Sequence, residues 1–581
     1  MSGNANLIKA DIYPDELCEQ AACIGTSFSN RIAAVFIGVA LFGMVFLSAT
    51  MSYACKAEFP LPNWALLLLA LLILLLFIKF SAGRAGMWFS RAVDRNPTRT
   101  DILIAAACIV LLLLQVFACR RYAFVTGWDS GIITNDALAI VNSGDFANVS
   151  YYSMYPNNLF LLWIAVQCGK IAQLLGAASP LGIVLVFSAL NCVACALSLW
   201  FLYRTMSLLF SRAWGVVAWI TGVLVIWTSP WAGILYSDAI VVCVPIMLSY
   251  LFIRSRKSSG RKFVAWLFLL GFVGILGYKI KPQVVFVLFA VAALLLVEFA
   301  FEAVEALKSR EARLCIEPAS RIVALVVGCI TALALVSAIT APWSSLLDQD
   351  NQFGIPHFLM MGLNPETRGV YSLADVEFSA SFADVQSRTA GNIQIATERV
   401  SDYGFLGLLS LLGDKLMTNF NDGTFAWSVE GNFFAFLPTD AAGGITGLIR
   451  SFYYPDGSHY NLWRTYAQFI WIAVLVCCFV GLLAGATHRA KQKDGAQRNL
   501  SSDFSLVVSL ALLMLIVFEL IFEARARYLY SSVTLFIVMA VIGIRWLTQR
   551  TRAMKTHKAH GAKPRYRKAR VCGDAVPHRL C

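Results

Sequence analysis

Twelve stretches of this chain run 17 to 24 residues with few charges: 31–50, 63–80, 102–119, 181–204, 213–230, 232–253, 262–279, 284–300, 321–340, 466–485, 504–522 and 528–545. A helix of about 20 apolar residues crosses about 30 Å of hydrocarbon. A backbone placed there must bond to itself, which leaves helices and closed barrels. Runs this long and this numerous predict an all-α polytopic membrane protein. The composition agrees: 59% of the 581 residues are hydrophobic and only 14% charged, with a mean hydropathy of +0.69.

The first run begins near Arg31 with no small-residue cleavage site directly after it, so it reads as a true span preceded by a cytoplasmic lead, 1–30. The 15 cysteines mostly lie inside apolar runs, where they act as small hydrophobes and not as a disulfide framework. Cys192 and Cys195 have CxxC spacing but no second pair or histidine nearby, a weak zinc signal.

A net charge of +13 raises nucleic acid as a partner, but its distribution argues against one. With the N-terminus inside, the connections carrying Arg84 to Arg99, Arg204 and Arg212, Arg254 to Lys262, Lys308 to Arg313 and Arg489 to Arg498 all fall inside, as does the basic tail, 546–581. The segments 120–180 and 341–465 then fall outside. This requires 158–176, with Gln167, Lys170 and Gln173, to be an interfacial amphipathic helix and not a span. The organisation expected is an N-terminal transmembrane module over 31–340 containing the outer loop 120–180. An extracytoplasmic subdomain over 341–465 and C-terminal helices over 466–545 follow. In the subdomain, 395–418 reads as one or two amphipathic helices near Gly404, followed by the Asp-Gly turn of FNDGTFAW.

Chemistry-bearing residues concentrate in the outer segments. Asp129 sits in a Trp-Asp-Ser-Gly turn and Asp136 follows two helical turns later, so both carboxylates can share one face. A carboxylate there can take a proton from a hydroxyl nucleophile or coordinate a divalent cation. Trp128, Tyr151, Tyr152 and Tyr155 offer stacking surfaces, and Asn157 and Asn158 open the interfacial helix. Lys279 and Lys281 lie at an outer span end, against the charge bias, where lysine can bind phosphate as a point charge. Glu523, Arg525, Arg527 and Tyr528 form a charge cluster that is costly in lipid and so should face protein or a polar cavity. Asp238, His357, Asn421, Asp422 and Trp427 are further candidates for lining a substrate site. Each also has a structural reading, as cap, turn, snorkelling cation or salt bridge.

These motifs in this order resemble the multispanning glycosyltransferases of GT-C fold that use polyprenyl-phosphate sugars, such as protein mannosyltransferases, the lipid A aminoarabinose transferase and family-39-like envelope enzymes. The resemblance rests on Asp129 in GWDSG, the YPNNL stretch at Tyr155 to Leu159, Arg527-Tyr528 before the last span, and the long segment HFLMMGLN…NDGTFAW. It covers most of 100–545. It implies an inverting transfer from a polyprenyl-phosphate carrier to an extracytoplasmic envelope glycan, glycolipid or protein in a bacterial plasma membrane. Asp129 would be the base, Asp136 a second carboxylate, and Lys279, Lys281, Arg525 and Arg527 the phosphate contacts. Trp128, Tyr155, Asn157, Asn158, Asp238, His357, Asp422, Trp427, Glu523 and Tyr528 would contact substrate. The Asp-Glu dipeptide of the eukaryotic protein transferases is absent, since Ser130 follows Asp129. That departure weakens the case for a protein acceptor; no cofactor is implied with certainty, though Mg or Mn is compatible. Two other classes fit the same sequence: a polymerase or ligase using a lipid-linked glycan, and a flippase or transporter of an envelope precursor.

Overall fold

The computed structural model describes residues 14–487 and 500–561, and the basic connection 488–499 and the tail 562–581 lie outside the described residues. The described chain is all helix and turn. In order, the helices are α1 Pro14–Phe42, α2 Asn63–Ser81, α3 Arg84–Arg95, α4 Pro97–Tyr122, α5 Trp128–Ser143, α6 Val149–Met154, α7 Leu159–Leu174, α8 Pro180–Leu209, α9 Arg212–Gly222, α10 Ser237–Ile240 and α11 Val244–Arg256. They continue with α12 Gly260–Ile280, α13 Phe286–Ser309, α14 Ile316–Ser344, α15 Ile355–Gly362, α16 Leu373–Ala380, α17 Val385–Phe420, α18 Gly444–Tyr453, α19 Tyr460–Thr487, α20 Leu500–Ile521, α21 Ala526–Tyr530 and α22 Val533–Gly561.

Among the described residues, eleven helices are long and apolar enough to cross a membrane. The chain is a multi-pass membrane protein. The expected twelfth span, 213–230, is a shorter apolar helix, Arg212–Trp227. Its last turn widens into a π-helical stretch over Val223–Trp227, and Pro230 then opens a 3-10 turn. This short helix lies along the Asp101–Gln115 stretch of α4: Arg212 meets Asp101 at 3.1 Å at one end, and the Trp227 carbonyl accepts from Gln115 at 3.0 Å at the other. The last helix continues to Gly561, past the expected boundary at 545.

Ion pairs, half-buried at Asp101 and buried at Glu298, tie the basic connections together at one end of the bundle. Asp101 of α4 is bound by Arg204 at 2.7 Å, by Arg212 and by the Tyr203 hydroxyl at 2.5 Å. Glu298 of α13 pairs with Arg256 and Arg321, and Arg552 donates to the Ser81 carbonyl at 2.5 Å. Within the bundle, glycines let two helix pairs meet backbone to backbone. A Cβ at Gly271 would lie 2.2 Å from the Leu325 carbonyl, and one at Gly328 2.1 Å from that of Phe268, where α12 crosses α14. Gly481 and Gly543 do the same for α19 and α22. Small residues at such crossings allow the dispersion contacts that hold helices together in lipid.

The opposite end carries the two long connections. Residues 123–179 fold over a core of their own: Ile133 and Ala137 of α5, Tyr152 of α6, and Leu162 and Ala165 of α7 pack against Phe187 and Leu235. Helix α7 buries that face and exposes Lys170, Ile171 and Gln173; it is not among the long apolar helices. In the 345–459 segment, the Arg388 guanidinium, 2% exposed, binds the carbonyls of Ser379, Phe382, Asp350 and Gln352. Arg399 clasps Asp375 with two bonds, at 2.7 and 2.9 Å. Gly404, at φ 57° and ψ −174°, breaks α17 in two, a conformation that only glycine adopts cheaply.

Candidate functional site

Helix α5 begins abruptly. Trp128, its first residue, has a left-handed φ of 57°, an unusual and costly conformation for a bulky side chain that concentrates at functional sites. The bend sets Asp129 in the first helical turn, where the helix dipole favours negative charge. The Tyr151 hydroxyl donates to Asp129 Oδ1 at 2.8 Å, and Asn158 donates to the Tyr151 oxygen at 2.7 Å. Burial, reinforced by Asp129, pushes the Tyr151 phenol well above its ordinary range, so it stays a donor. Asn157 donates to Asn158 at 3.2 Å. The Tyr155 ring packs between Tyr151 and Phe353, 5.4 Å from each.

Asp136, two turns on, meets the segment leading into α6 and accepts from Asn148 at 2.7 Å. Burial pushes its carboxyl up, while Asn148 and Tyr152 hold it back. The two carboxylates do share the α6-facing side of α5, but Asp129 is exposed and Asp136 buried. In this position Asp136 braces the loop.

A dense charged cluster stands on the other side of Asp129. Arg525 donates to Glu523 at 2.8 Å and to Glu430 at 2.7 Å. Arg527 reaches the same Glu430 oxygen at 3.5 Å and lies over the Tyr236 ring at 4.3 Å. The Tyr528 hydroxyl donates to Glu523 at 3.0 Å, and Lys281 sits 3.9 Å above the Tyr528 ring and 2.9 Å from Asp238. Burial works against charge on Glu523, yet Arg525 and Arg527 win and hold its carboxyl below the usual range. Burial pushes the Tyr236 phenol up to about 12 while Arg527 pulls it down, and Asp129 is within electrostatic reach of the same ring. Tyr371 likewise feels both Asp129 and Arg525. Tyr236 and Tyr371 therefore each lie within electrostatic reach of both Asp129 and an arginine of the cluster.

Arg527 is 7% exposed, and neither its Nε, 3.5 Å from Glu430, nor its Nη1 completes a hydrogen bond of normal geometry, although the Tyr236 hydroxyl lies within reach of the guanidinium. A buried cationic N–H left without an acceptor costs a kilocalorie or more, so this group is poised for an anionic acceptor.

Not every candidate joins the cluster. Lys279 is half-buried and has no ion-pair partner among the described residues. Asp422 is spent on its own turn: it accepts from the Thr424 and Ala426 amides, each at 2.8 Å, and from the Thr424 hydroxyl. Trp427 is fully buried, donates to the Tyr453 carbonyl and packs edge-on against Trp231 at 5.4 Å. The FNDGTFAW turn plugs the bundle: Asn421 bonds Asn63 and Tyr53, and the Gly423 amide donates to Gln468. His357 is fully buried against Phe353, bonded to Ser379 at 2.7 Å, and burial pushes it down to about 4.

Sequence reasoning missed Glu430, which joins the two arginines. The signal was a single acid in the aromatic stretch after FNDGTFAW. It also missed Lys415, which is fully buried and donates to the carbonyls of Gly362 and Phe522 at 2.9 and 2.5 Å. That contact docks α17 and α15 onto the end of α20. Glu430 and Glu523 are engaged by arginine, and among the described residues no three His, Cys, Asp or Glu side chains converge to hold a metal ion.

No curated protein matches the sequence. Solved structures similar to the chain include the oligosaccharyltransferase AglB of Archaeoglobus fulgidus in complex with an inhibitory peptide and a dolichol-phosphate, at 13% identity and TM-score 0.34 over 79% of this chain. The chain spans about half, 52%, of that protein's length. ArnT of Cupriavidus metallidurans bound to undecaprenyl phosphate is similar at 14% identity and TM-score 0.28, covering 79% of each chain. A family model described as conserved hypothetical integral membrane protein matches residues 24–546, nearly the whole described chain, and the chain belongs to that family.

Proposed function

We propose that this protein is an inverting glycosyltransferase of GT-C type. It would move a sugar from a polyprenyl-phosphate carrier to a hydroxyl of an envelope acceptor on the extracytoplasmic face of a bacterial plasma membrane. The observation that supports the reading is a carboxylate held by Tyr151 together with a buried guanidinium cluster, both within electrostatic reach of Tyr236 and Tyr371. An inverting displacement needs a base at the acceptor hydroxyl and cations where charge grows on the leaving phosphate. The gathering of basic connections at the opposite end supports an outward-facing site, because cytoplasmic connections carry the excess of Lys and Arg.

In this mechanism Asp129 accepts the proton as the acceptor oxygen bonds to the anomeric carbon. The carbon–oxygen bond to phosphate breaks, and its electron pair goes to the phosphate oxygen. Arg527, Arg525 and Lys281 stabilise that oxygen. Tyr151 and Asn158 aim the carboxylate. The acidic partners Glu430 and Asp238 hold the cations in place before substrate arrives.

The test is transfer by purified protein in nanodiscs, using radiolabelled polyprenyl-phosphate monosaccharides and extracted envelope acceptors, with and without EDTA. Asp129→Asn should lower transfer about 10²- to 10⁴-fold, the usual contribution of a general base. Transfer unchanged in that variant would remove Asp129 as base. Movement of an intact lipid-linked glycan across proteoliposomes, with no transfer, would replace the transferase with a transporter.

A further inference from the structure

A second feature lies on the flank of α5. An open cleft of about 440 Å³ runs beside its first two turns, a size in the range of small-molecule sites. Thr126, Trp128, Ile132, Asn135 and Phe436 form its walls, and no residue lining it carries a charge. Trp128 is 40% exposed and Phe436 46% exposed, so the indole and the phenyl ring both present surface to a ligand. The left-handed backbone of Trp128 fixes where the indole stands. The tip of the Phe436 ring rests against Gly127, where a Cβ would come within 2.4 Å of it. Asn135 is exposed, and its carboxamide makes no hydrogen bond within the described residues.

From this geometry we infer that the cleft is a saccharide subsite, which takes a neutral sugar unit of the acceptor; the assignment of acceptor rests on the transferase reading above. A neutral sugar has an apolar face of C–H groups and a rim of hydroxyls. Aromatic walls bury the first, and an uncommitted carboxamide, with one acceptor and two donors, pairs with adjacent hydroxyls. A phosphate or a carboxylate would find no cation here, and a bare polyprenyl tail would leave the Asn135 amide unpaired at a desolvation cost. The neutral cleft includes Trp128, the residue before Asp129, so a sugar held there would have hydroxyls near that carboxylate, while the leaving phosphate would go to the separate cationic cluster around Arg527.

The experiment is saturation-transfer NMR on the full chain in nanodiscs with cellotriose, maltotriose, galactotriose and arabinotriose, each at millimolar concentration. At least one should bind. Trp128→Ala and Asn135→Ala should each weaken it about fivefold or more, and Asn135 is an exposed position whose replacement leaves folding intact. Arg527→Ala should leave this binding unchanged, because the phosphate cluster is separate. Absence of binding by all four, or equal binding by the Trp128 and Asn135 variants, overturns the subsite. Binding that tracks Trp128 and Asn135 in a protein that transfers nothing from any polyprenyl-phosphate sugar keeps the subsite and removes the transferase reading. A lipid phosphate such as farnesyl phosphate that displaces the trisaccharide from Arg527→Ala would overturn it in favour of a lipid channel.

Discussion

Glu430→Gln isolates the charge that holds the arginine cluster. The carboxylate is 2% exposed, takes a hydrogen bond from Arg525 at 2.7 Å and stands 3.5 Å from Arg527. Arg525 keeps Glu523 in the variant, whereas Arg527 loses the one ion pair it makes among the described residues. At 3.5 Å and an effective dielectric of about 20, the Glu430–Arg527 attraction is about 5 kcal/mol. The carboxylate's own desolvation offsets part of this, and breaking a buried pair from one side costs about 3 to 5 kcal/mol overall. The unliganded variant should therefore melt well below the wild type in nanodiscs. Farnesyl phosphate should then recover part of the loss, because its phosphate returns a negative charge to Arg527. The recovered stability grows with the logarithm of ligand concentration over dissociation constant, so its size reports affinity directly. A thermal titration of both proteins measures all of this. If farnesyl phosphate raises the melting temperature of wild type and variant equally, Arg527 does not contact the phosphate and the cluster is structural. If the variant melts with the wild type, the ion-pair account itself fails.

Three further outcomes follow from the same contacts. Tyr151→Phe removes the hydrogen bond to Asp129, worth about 1.5 kcal/mol for a charged acceptor; turnover should fall about tenfold at unchanged donor KM, and a change confined to KM would show that Tyr151 binds substrate instead. His357 is held near pKa 4, below its ordinary value of 6.5. The unfolded segment therefore binds the extra proton first as the pH falls from 6.5 to 4, and the 345–459 segment should lose about 3 kcal/mol across that window. Amide exchange of 355–380 followed from pH 7 to pH 4.5 measures this loss, and His357→Gln should flatten it. Gly328→Leu drives a side chain into the Phe268 carbonyl, 2.1 Å from a Cβ; α12 and α14 must separate, with loss of monodisperse protein on extraction, whereas Gly144→Ala, with open space at its Cβ, should cost only its backbone strain.

The spans were legible because length and hydropathy report directly on the solvent a helix must satisfy. The one that fell short, Arg212–Trp227, looked ordinary in hydropathy, and what shortened it was a π-helical turn followed by Pro230. Asp129 and the Arg525–Arg527 pair stood out in the sequence as candidates for a related reason: charge beside an apolar run is expensive. Their partners were not legible. Glu430 lies 95 residues from Arg525, and nothing local in SVEGNFF encodes that meeting. Asp422 and Trp427 illustrate the opposite error. A polar turn with a tryptophan has the composition of a sugar site, but the Asp422 carboxylate satisfies three donors of its own turn, and the indole finds the Tyr453 carbonyl. Composition cannot distinguish a side chain turned to solvent from one that closes a plug.

The partners of the charged cluster come from four separate parts of the chain: Lys281 and Asp238 from span ends, Glu430 from the 345–459 segment, and Arg525 and Arg527 from the turn before the last helix. None of these charges is stable in a half-built site, since a buried ion without its counter-ion costs several kcal/mol. Docking of the 345–459 segment, through Lys415 on the Phe522 carbonyl and the Ala524 amide on the Gly369 carbonyl at 2.9 Å, therefore assembles the arginine cluster as it closes the bundle. The same docking brings Phe436 against Gly127 and completes the neutral cleft. The outer segment thus supplies Glu430 to the arginine cluster and Phe436 to the neutral cleft. A lesion in the seam, such as Lys415→Met, should weaken phosphate and saccharide binding together, although Lys415 reaches the seam carbonyls and lines neither surface.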